Sequence, residues 1–153
     1  MSSFKGRYEY VLDSKGRISI PAKLRKSLSP EANDTFVVTR GIEKCLYVYP
    51  LDEWRQLESK LRSLNQFVEK HRFFTRTLLM WASEEFTLDN QSRITIPRNL
   101  LEFAGIEKEV IVIGALERIE LWSPKNFDDY MNSQSESYES VVEKIMSVNL
   151  SGS

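Results

Sequence analysis

Tyr8, Tyr10 and Leu12 alternate with Glu9 and Val11, a period near two that predicts a strand. Alternation resumes with Ile18 and Ile20 against Arg17 and Ser19, and the polar run Asp13-Ser14-Lys15-Gly16 joins the two arms as a tight turn. Pro21 has no amide hydrogen for pairing and suits the first position of a helix over Ala22 to Leu28. A second pair of strands follows, Thr35 to Arg40 and Cys45 to Tyr49, across Gly41-Ile42-Glu43-Lys44. The series then returns: Leu12-Asp13-Ser14-Lys15-Gly16-Arg17-Ile18-Ser19-Ile20-Pro21 comes back 76 positions later as Leu88-Asp89-Asn90-Gln91-Ser92-Arg93-Ile94-Thr95-Ile96-Pro97. A helix over Arg98 to Ala104 with a stop at Gly105 follows Pro97. Downstream the offset falls to 74, where Glu109 to Glu117 faces Thr35 to Glu43. The two lost residues lie between the helix and the third strand, where solvent-facing backbone tolerates a change of length. Matching over roughly fifty residues per copy makes the chain a tandem duplication.

Between the copies the period changes. Leu51, Trp54, Leu57, Leu61 and Leu64 recur at steps of three and four, and Phe67, His71, Phe74, Leu78 and Trp81 continue a stripe after a polar break. These predict a helical hairpin packed on the sheets with its aromatics in the core; an interface between subunits is the alternative. After Pro124 a short helix is predicted through Met131, and the polar run Asn132 to Ser137 reads as a hinge or as disordered. Val141, Val142, Ile145, Met146 and Leu150 then suggest an amphipathic terminal helix that docks on its own chain or on a neighbour. The expected fold class is α+β, in four segments: a first half over 1–50, a helical insert over 51–81, a second half over 82–124 and a C-terminal segment over 125–153.

Length and composition narrow this picture. With 153 residues and 41% hydrophobic residues the chain suits one domain or two small ones. A net charge of -1 does not by itself point to nucleic acid. The distribution says more: Lys5, Arg7, Lys15, Arg17, Lys23, Arg25 and Lys26 crowd the first copy, while the last third is acidic, so one positive face is expected. Cys45 stands alone and reads as a small buried hydrophobe. Neither a leader-like apolar run nor a membrane-length one is present, which suits a reducing cytoplasm.

Catalysis finds no constellation. His71, between Lys70 and Arg72, reads as a packing residue rather than a general base, and the pairs Glu84-Glu85 and Asp128-Asp129 read as solvated faces. There is no Gly-rich phosphate loop and no clustered set of metal ligands. The expectation is a protein that is not an enzyme, with no cofactor, no metal and no small-molecule substrate.

The turn is the candidate device. Asp13 can accept hydrogen bonds from the amides that follow it, fixing the loop, and Gly16 can take a positive φ before the second strand. Arg17 can then fold back onto an aspartate, within its own turn or across the two copies, or project its planar fork outward, and these readings stay open, as they do for Arg93. One Asp-x-x-x-Arg spacing is weak; two copies, each followed by Ile-x-Ile-Pro, are specific.

These motifs, with Leu-Tyr-Val-Tyr-Pro-Leu-Asp-Glu-Trp at 46–54 and Ala-Ser-Glu at 82–84, make the chain resemble the MraZ family over nearly its whole length. The resemblance implies two tandem AbrB-like swapped-hairpin β half-domains forming a pseudo-twofold β-barrel-like core within one chain. It implies a bacterial, cytoplasmic and nucleoid-associated regulator that binds double-stranded DNA at repeated promoter boxes ahead of the division and cell-wall gene cluster. Assembly into a ring of identical subunits is implied too, with no membrane partner. DNA contact is carried over to Asp13 with Arg17 and Asp89 with Arg93. Ser92 departs from the pattern's glycine, and Gln91 replaces the first copy's lysine, so the first turn is expected to dominate. In this reading Lys15 and Arg17, held by Asp13 and Gly16, enter or straddle a groove, while Lys5, Arg7, Lys23 and Arg25 attract the backbone. An AbrB-like antitoxin or other oligomeric interaction module, acting through the terminal helix, is the alternative.

Overall fold

The computed structural model describes residues 1–150, and side chains from 148 onward, Leu150 among them, lie outside the described residues. The chain runs β1 (Phe4–Val11), β2 (Arg17–Ser19), α1 (Ala22–Lys26), β3 (Thr35–Arg40), β4 (Leu46–Pro50), α2 (Leu51–Arg62) and α3 (Glu69–Met80). The same series follows as β5 (Phe86–Thr87), β6 (Arg93–Thr95), α4 (Arg98–Ala104), β7 (Glu109–Leu116), β8 (Arg118–Trp122), α5 (Pro124–Asn132) and α6 (Tyr138–Leu150). The class is α+β. The helices read from sequence as an insert and a terminal segment hold equivalent places in the two series. A 3-10 turn at Pro30–Ala32 fills the longer loop of the first copy.

Proline and glycine set the helix bounds. Pro21 and Pro97 stand one residue earlier than expected, at the N-caps of α1 and α4, and Gly105 ends α4 at φ 67 while its amide donates to Glu102 O.

The copies interleave. One antiparallel sheet has the order β1-β7-β8-β4-β3-β5, and β2 pairs with β6 in a separate ribbon. The first strand of each copy thus pairs with the third strand of the other: Tyr8 faces Val112, and Phe36 faces Phe86. The six-stranded sheet ends at β1 and β5, so its strand order does not close on itself.

Burial in β3 and β4 alternates between two cores rather than between core and water. Phe36, Val38, Leu46 and Val48 join Val112 and Leu121 on one face, where Ile18, Ile20, Ile94 and Ile96 of the repeated motif also pack. Val37, Cys45, Tyr47 and Tyr49 join Trp54 and Trp122 on the other. Each fully buried Phe or Leu contributes roughly 1.5–3 kcal/mol, so the Ile-x-Ile segments anchor the turns that precede them. Burial also pushes the Cys45 thiol well above its ordinary range.

The helical hairpin departs from expectation. Leu51, Trp54 and Leu61 of α2 are buried, but α3 has no buried residue, and Phe67 and Phe74 are exposed. Amphipathic spacing says that a face needs cover, not that its own chain supplies it.

Candidate nucleic-acid interface

Asp13 builds the first turn. Its Oδ1 accepts from the amides of Lys15 and Arg17, both at 2.9 Å, while its carbonyl accepts from Gly16 N at 3.1 Å. Gly16 takes φ +74, as the tight turn requires. Asp89 repeats the design: Oδ1 accepts from Gln91 N at 2.8 Å and Arg93 N at 3.0 Å, and its carbonyl accepts from Ser92 N. Ser92 follows the same path at φ 58, a conformation unfavourable for an L side chain. The substitution therefore leaves the turn's shape intact and adds backbone strain.

Both arginines fold back. Arg17 Nε donates to Asp13 Oδ2 at 2.6 Å and Arg93 Nε to Asp89 Oδ2 at 3.0 Å, while Arg93 Nη1 reaches across the copies to Asp13 Oδ2 at 3.3 Å. Asp13 therefore holds an arginine from each copy. The amide of Arg17 is the largest influence on that carboxyl and helps hold it at about 2, below its ordinary 3.8. For Asp89, partial burial works against ionisation, but the amides of Arg93 and Gln91 outweigh it and keep its pKa low.

The ribbon between β2 and β6 sets the two turns side by side. Ile18 faces Ile94, Ile20 N donates to Ser92 O, and Ile96 N donates to Gly16 O, both at 2.9 Å. These last two bonds exchange with each other when the copies are exchanged. The apolar half of the motif thus fills the core, and the Asp-x-x-x-Arg half stands at the surface above it.

The two guanidinium groups differ in what remains free. Among the described residues, Arg17 engages only Nε, leaving both terminal nitrogens for a planar acceptor; Arg93 engages Nε and Nη1, leaving one. Lys15 is exposed at the first turn, with no ion pair among the described residues, and Gln91 takes its place in the second.

Of the remaining basic candidates, the structure brings Arg25 to the turns. Its Nε donates to Ile20 O at 3.0 Å and its Nη1 to Ser92 Oγ at 2.7 Å. Lys23 is exposed on α1, two positions away. Lys5 and Arg7 are not brought there. At about 3.3 Å per residue, Lys5 stands about 25 Å along the strand from Asp13. Arg7 instead pairs with Glu9 at 3.3 Å and lies over the Phe127 ring at 5.3 Å. The single positive face expected from the crowding of charges is therefore divided. Sequence reasoning missed the Arg25–Ser92 bond, although comparing the copies carries its signal: Gly16 faces Leu101 where Ser92 faces Arg25.

His71 Nδ1 accepts from Asn65 N at 3.1 Å, a structural role in the loop between α2 and α3. Among the described residues no His, Cys, Asp and Glu cluster could hold a metal ion, and no helix is long and apolar enough to cross a membrane.

Fold and site define a class: a tandem-repeat α+β protein whose interleaved copies present paired Asp-x-x-x-Arg turns on a shared ribbon. The profile of the family described as "MraZ protein, putative antitoxin-like" matches residues 3–77 and 79–149, so each match runs past its strands into the second of the two helices that follow them. The chain belongs to the MraZ family. It is 43% identical over 143 residues to the transcriptional regulator MraZ of Natranaerobius thermophilus, covering 94% of this chain and 96% of the relative. It is 50% identical over 140 residues to that of Halothermothrix orenii (91% and 94%) and 45% identical over 142 to that of Clostridium beijerinckii (93% and 96%). These relatives are named as regulators rather than enzymes.

Proposed function

We propose that the chain is a sequence-specific DNA-binding transcriptional regulator that reads repeated promoter boxes through its Asp-x-x-x-Arg turns. One observation carries the reading. Asp13 holds Arg17 through Nε and leaves its terminal nitrogens free, beside Lys15, at a site where Arg93 and Arg25 also converge. A guanidinium held this way is pre-oriented for bidentate pairing with guanine O6 and N7, and Lys15 reaches phosphate. Lys23 adds backbone attraction, Lys5 and Arg7 act at a distance, and the second turn adds a subsidiary contact. The exchange of first strands between copies supports the swapped-hairpin arrangement around a barrel-like core. The names of the relatives support regulation as the outcome.

One chain offers few contacts, so affinity comes from several chains engaging spaced boxes at high effective concentration. The exposed apolar face of α3 supports assembly of identical subunits, in this reading a ring acting in the bacterial cytoplasm at the nucleoid. The boxes lie ahead of the division and cell-wall gene cluster.

A nuclease footprint on the DNA upstream of the protein's own gene tests this, with native mass measured on the same preparation. Regularly spaced protection by a multimer is expected; a multimer giving no protection there would sink the reading. The antitoxin-like description of the family favours a second one, in which the terminal helix holds a protein partner. Capture of a toxin-like protein by the full chain, without protected DNA, would establish it.

A further inference from the structure

One chain carries both an uncovered helix and an open apolar groove. α6 sets Tyr138, Val141, Val142, Ile145 and Met146 at steps of three and four, an apolar stripe with no buried member; Ile145 is 55% exposed and Met146 52%. The groove lies between α3 and the β3–β4 turn and is lined by Ile42, Tyr47, Leu57, Phe73, Phe74 and Leu78, with Arg40 and Arg118 also on its wall. Phe73 is 64% exposed and Phe74 50%. Isolated exposed apolar residues are ordinary, but two continuous apolar faces on one small chain are not.

Charge tells which surface fits which. Among the described residues no carboxylate lines the groove. Arg118 is engaged by Glu120 at 2.9 Å and lies over Tyr47. Arg40 stacks on Phe103 at 4.2 Å and donates Nε to Gly41 O, and no carboxylate among the described residues takes its terminal nitrogens. On α6, at about 100° per residue, Glu139 and Glu143 stand one turn apart along one flank of the apolar stripe. Lys144, on the opposite flank, is neutralised by Glu136 at 2.6 Å. An acidic-edged apolar helix thus matches an apolar groove with an unpaired arginine.

We propose that α6 of one copy docks in the α3 groove of a second copy of this chain, seating its stripe on Phe73 and Phe74 and pairing Glu139 or Glu143 with Arg40. The proposal rests on the assembly reading above and names its contact. A second copy is the occupant because stripe and groove both stand open within one chain. The two surfaces differ, so the contact is head-to-tail: each chain gives a helix to the next and receives one from the previous. Such contacts close into a ring when the rotation between neighbours closes, and extend into a filament when it does not.

Cysteine pairing tests the contact directly, because Cys45 is buried and does not compete. Full-length Phe74→Cys and Ile145→Cys chains, differently tagged, are mixed and mildly oxidised. A disulfide joining the two tags is expected, with little in either variant alone. Absence of that disulfide while native mass stays multimeric overturns α6 docking and leaves the assembly reading intact. A native mass equal to one chain for the unaltered protein overturns both. A disulfide closing within monomeric Phe74→Cys/Ile145→Cys chains overturns the second copy as occupant. As an independent arm, Arg40→Glu should weaken assembly about fivefold at low salt, the scale of one exposed ion pair. Adding Glu143→Arg should restore it; unchanged mass across that series would also overturn the proposal.

Discussion

Replacing Arg17 by alanine removes two unengaged guanidinium nitrogens from the first turn and leaves its frame standing, since Asp13 still accepts from the backbone amides of residues 15 and 17. A bidentate arginine–guanine pair contributes about 1–3 kcal/mol of discrimination, so Arg17→Ala should weaken binding about 5- to 150-fold per engaged box. Arg93 has one terminal nitrogen free, and Arg93→Ala should cost about half as much on the same scale. Arg17→Lys keeps the charge and loses the fork, so it should fall nearly as far as alanine. Fluorescence anisotropy on a duplex carrying the boxes, against a scrambled duplex, reads these effects at several salt concentrations, with native mass in parallel. Loss of a base contact leaves the salt slope unchanged, whereas loss of one phosphate contact lowers it by about 0.9. A folded Arg17→Ala multimer binding the boxes like the unaltered protein refutes the reasoning; a larger loss for Arg93→Ala refutes the ranking of the turns.

A Cβ on Gly114 would run into the backbone of Phe4 and Lys5 on the facing strand, so Gly114→Ala should destabilise the protein by about 1–3 kcal/mol in urea unfolding. A wild-type midpoint would mean that the close β1–β7 approach is not maintained. Asp13 is held at about 2, below its ordinary 3.8, so its contribution is complete above 3.8 and is lost as pH falls through about 2. The Arg17 amide resonance should therefore titrate near pH 2 in the protein and not in Asp13→Asn; a midpoint near 3.8 would count against the turn's geometry. Glu53 is buried, its Oε1 lacks a partner among the described residues, and burial raises its pKa. Its charged form opposes folding once pH rises through the unfolded value, so Glu53→Gln should be more stable than the unaltered protein at pH 7 and lose that advantage by pH 4. Thermal denaturation at the two pH values checks the sign.

What could be read from the sequence follows the range of each interaction. The turns were legible because an aspartate and the amides two and four positions on are bound by local geometry, and Pro21, Pro97 and Gly105 mark their elements by backbone chemistry alone. Alternation in Tyr8, Tyr10 and Leu12 predicted a strand but not its partner. Nothing local states that β1 pairs with β7 or β2 with β6 of the other copy, and from the β2–β6 pairing follows the meeting of Asp13 with Arg93. The α3 stripe had the same spacing as a core helix, and only the folded chain leaves Phe73 and Phe74 exposed. Lys5 and Arg7 counted as neighbours of the turn in sequence, but an extended strand turns a few residues into tens of ångströms.

The inequality of the two turns comes from four positions taken together. A Cβ on Gly16 would lie 3.4 Å from Ile96 O and 3.6 Å from Leu101, so the first turn sits against a backbone and an apolar side chain that offer it no donor. At the matching place in the other copy, Ser92 meets Arg25. Its left-handed backbone costs about 1–2 kcal/mol, offset in part by the hydrogen bond from Arg25 Nη1, worth about 1 kcal/mol. That bond holds Arg25 against the second turn, as Asp89 and Asp13 hold Arg93. Positive charge at the second turn is therefore largely engaged within the protein, while Lys15 and the far end of Arg17 stay open at the first. The two copies hold frames of the same shape; a Ser–Arg pair braces one, and the Gly–Leu pair at the other leaves Lys15 and the terminal nitrogens of Arg17 unengaged among the described residues.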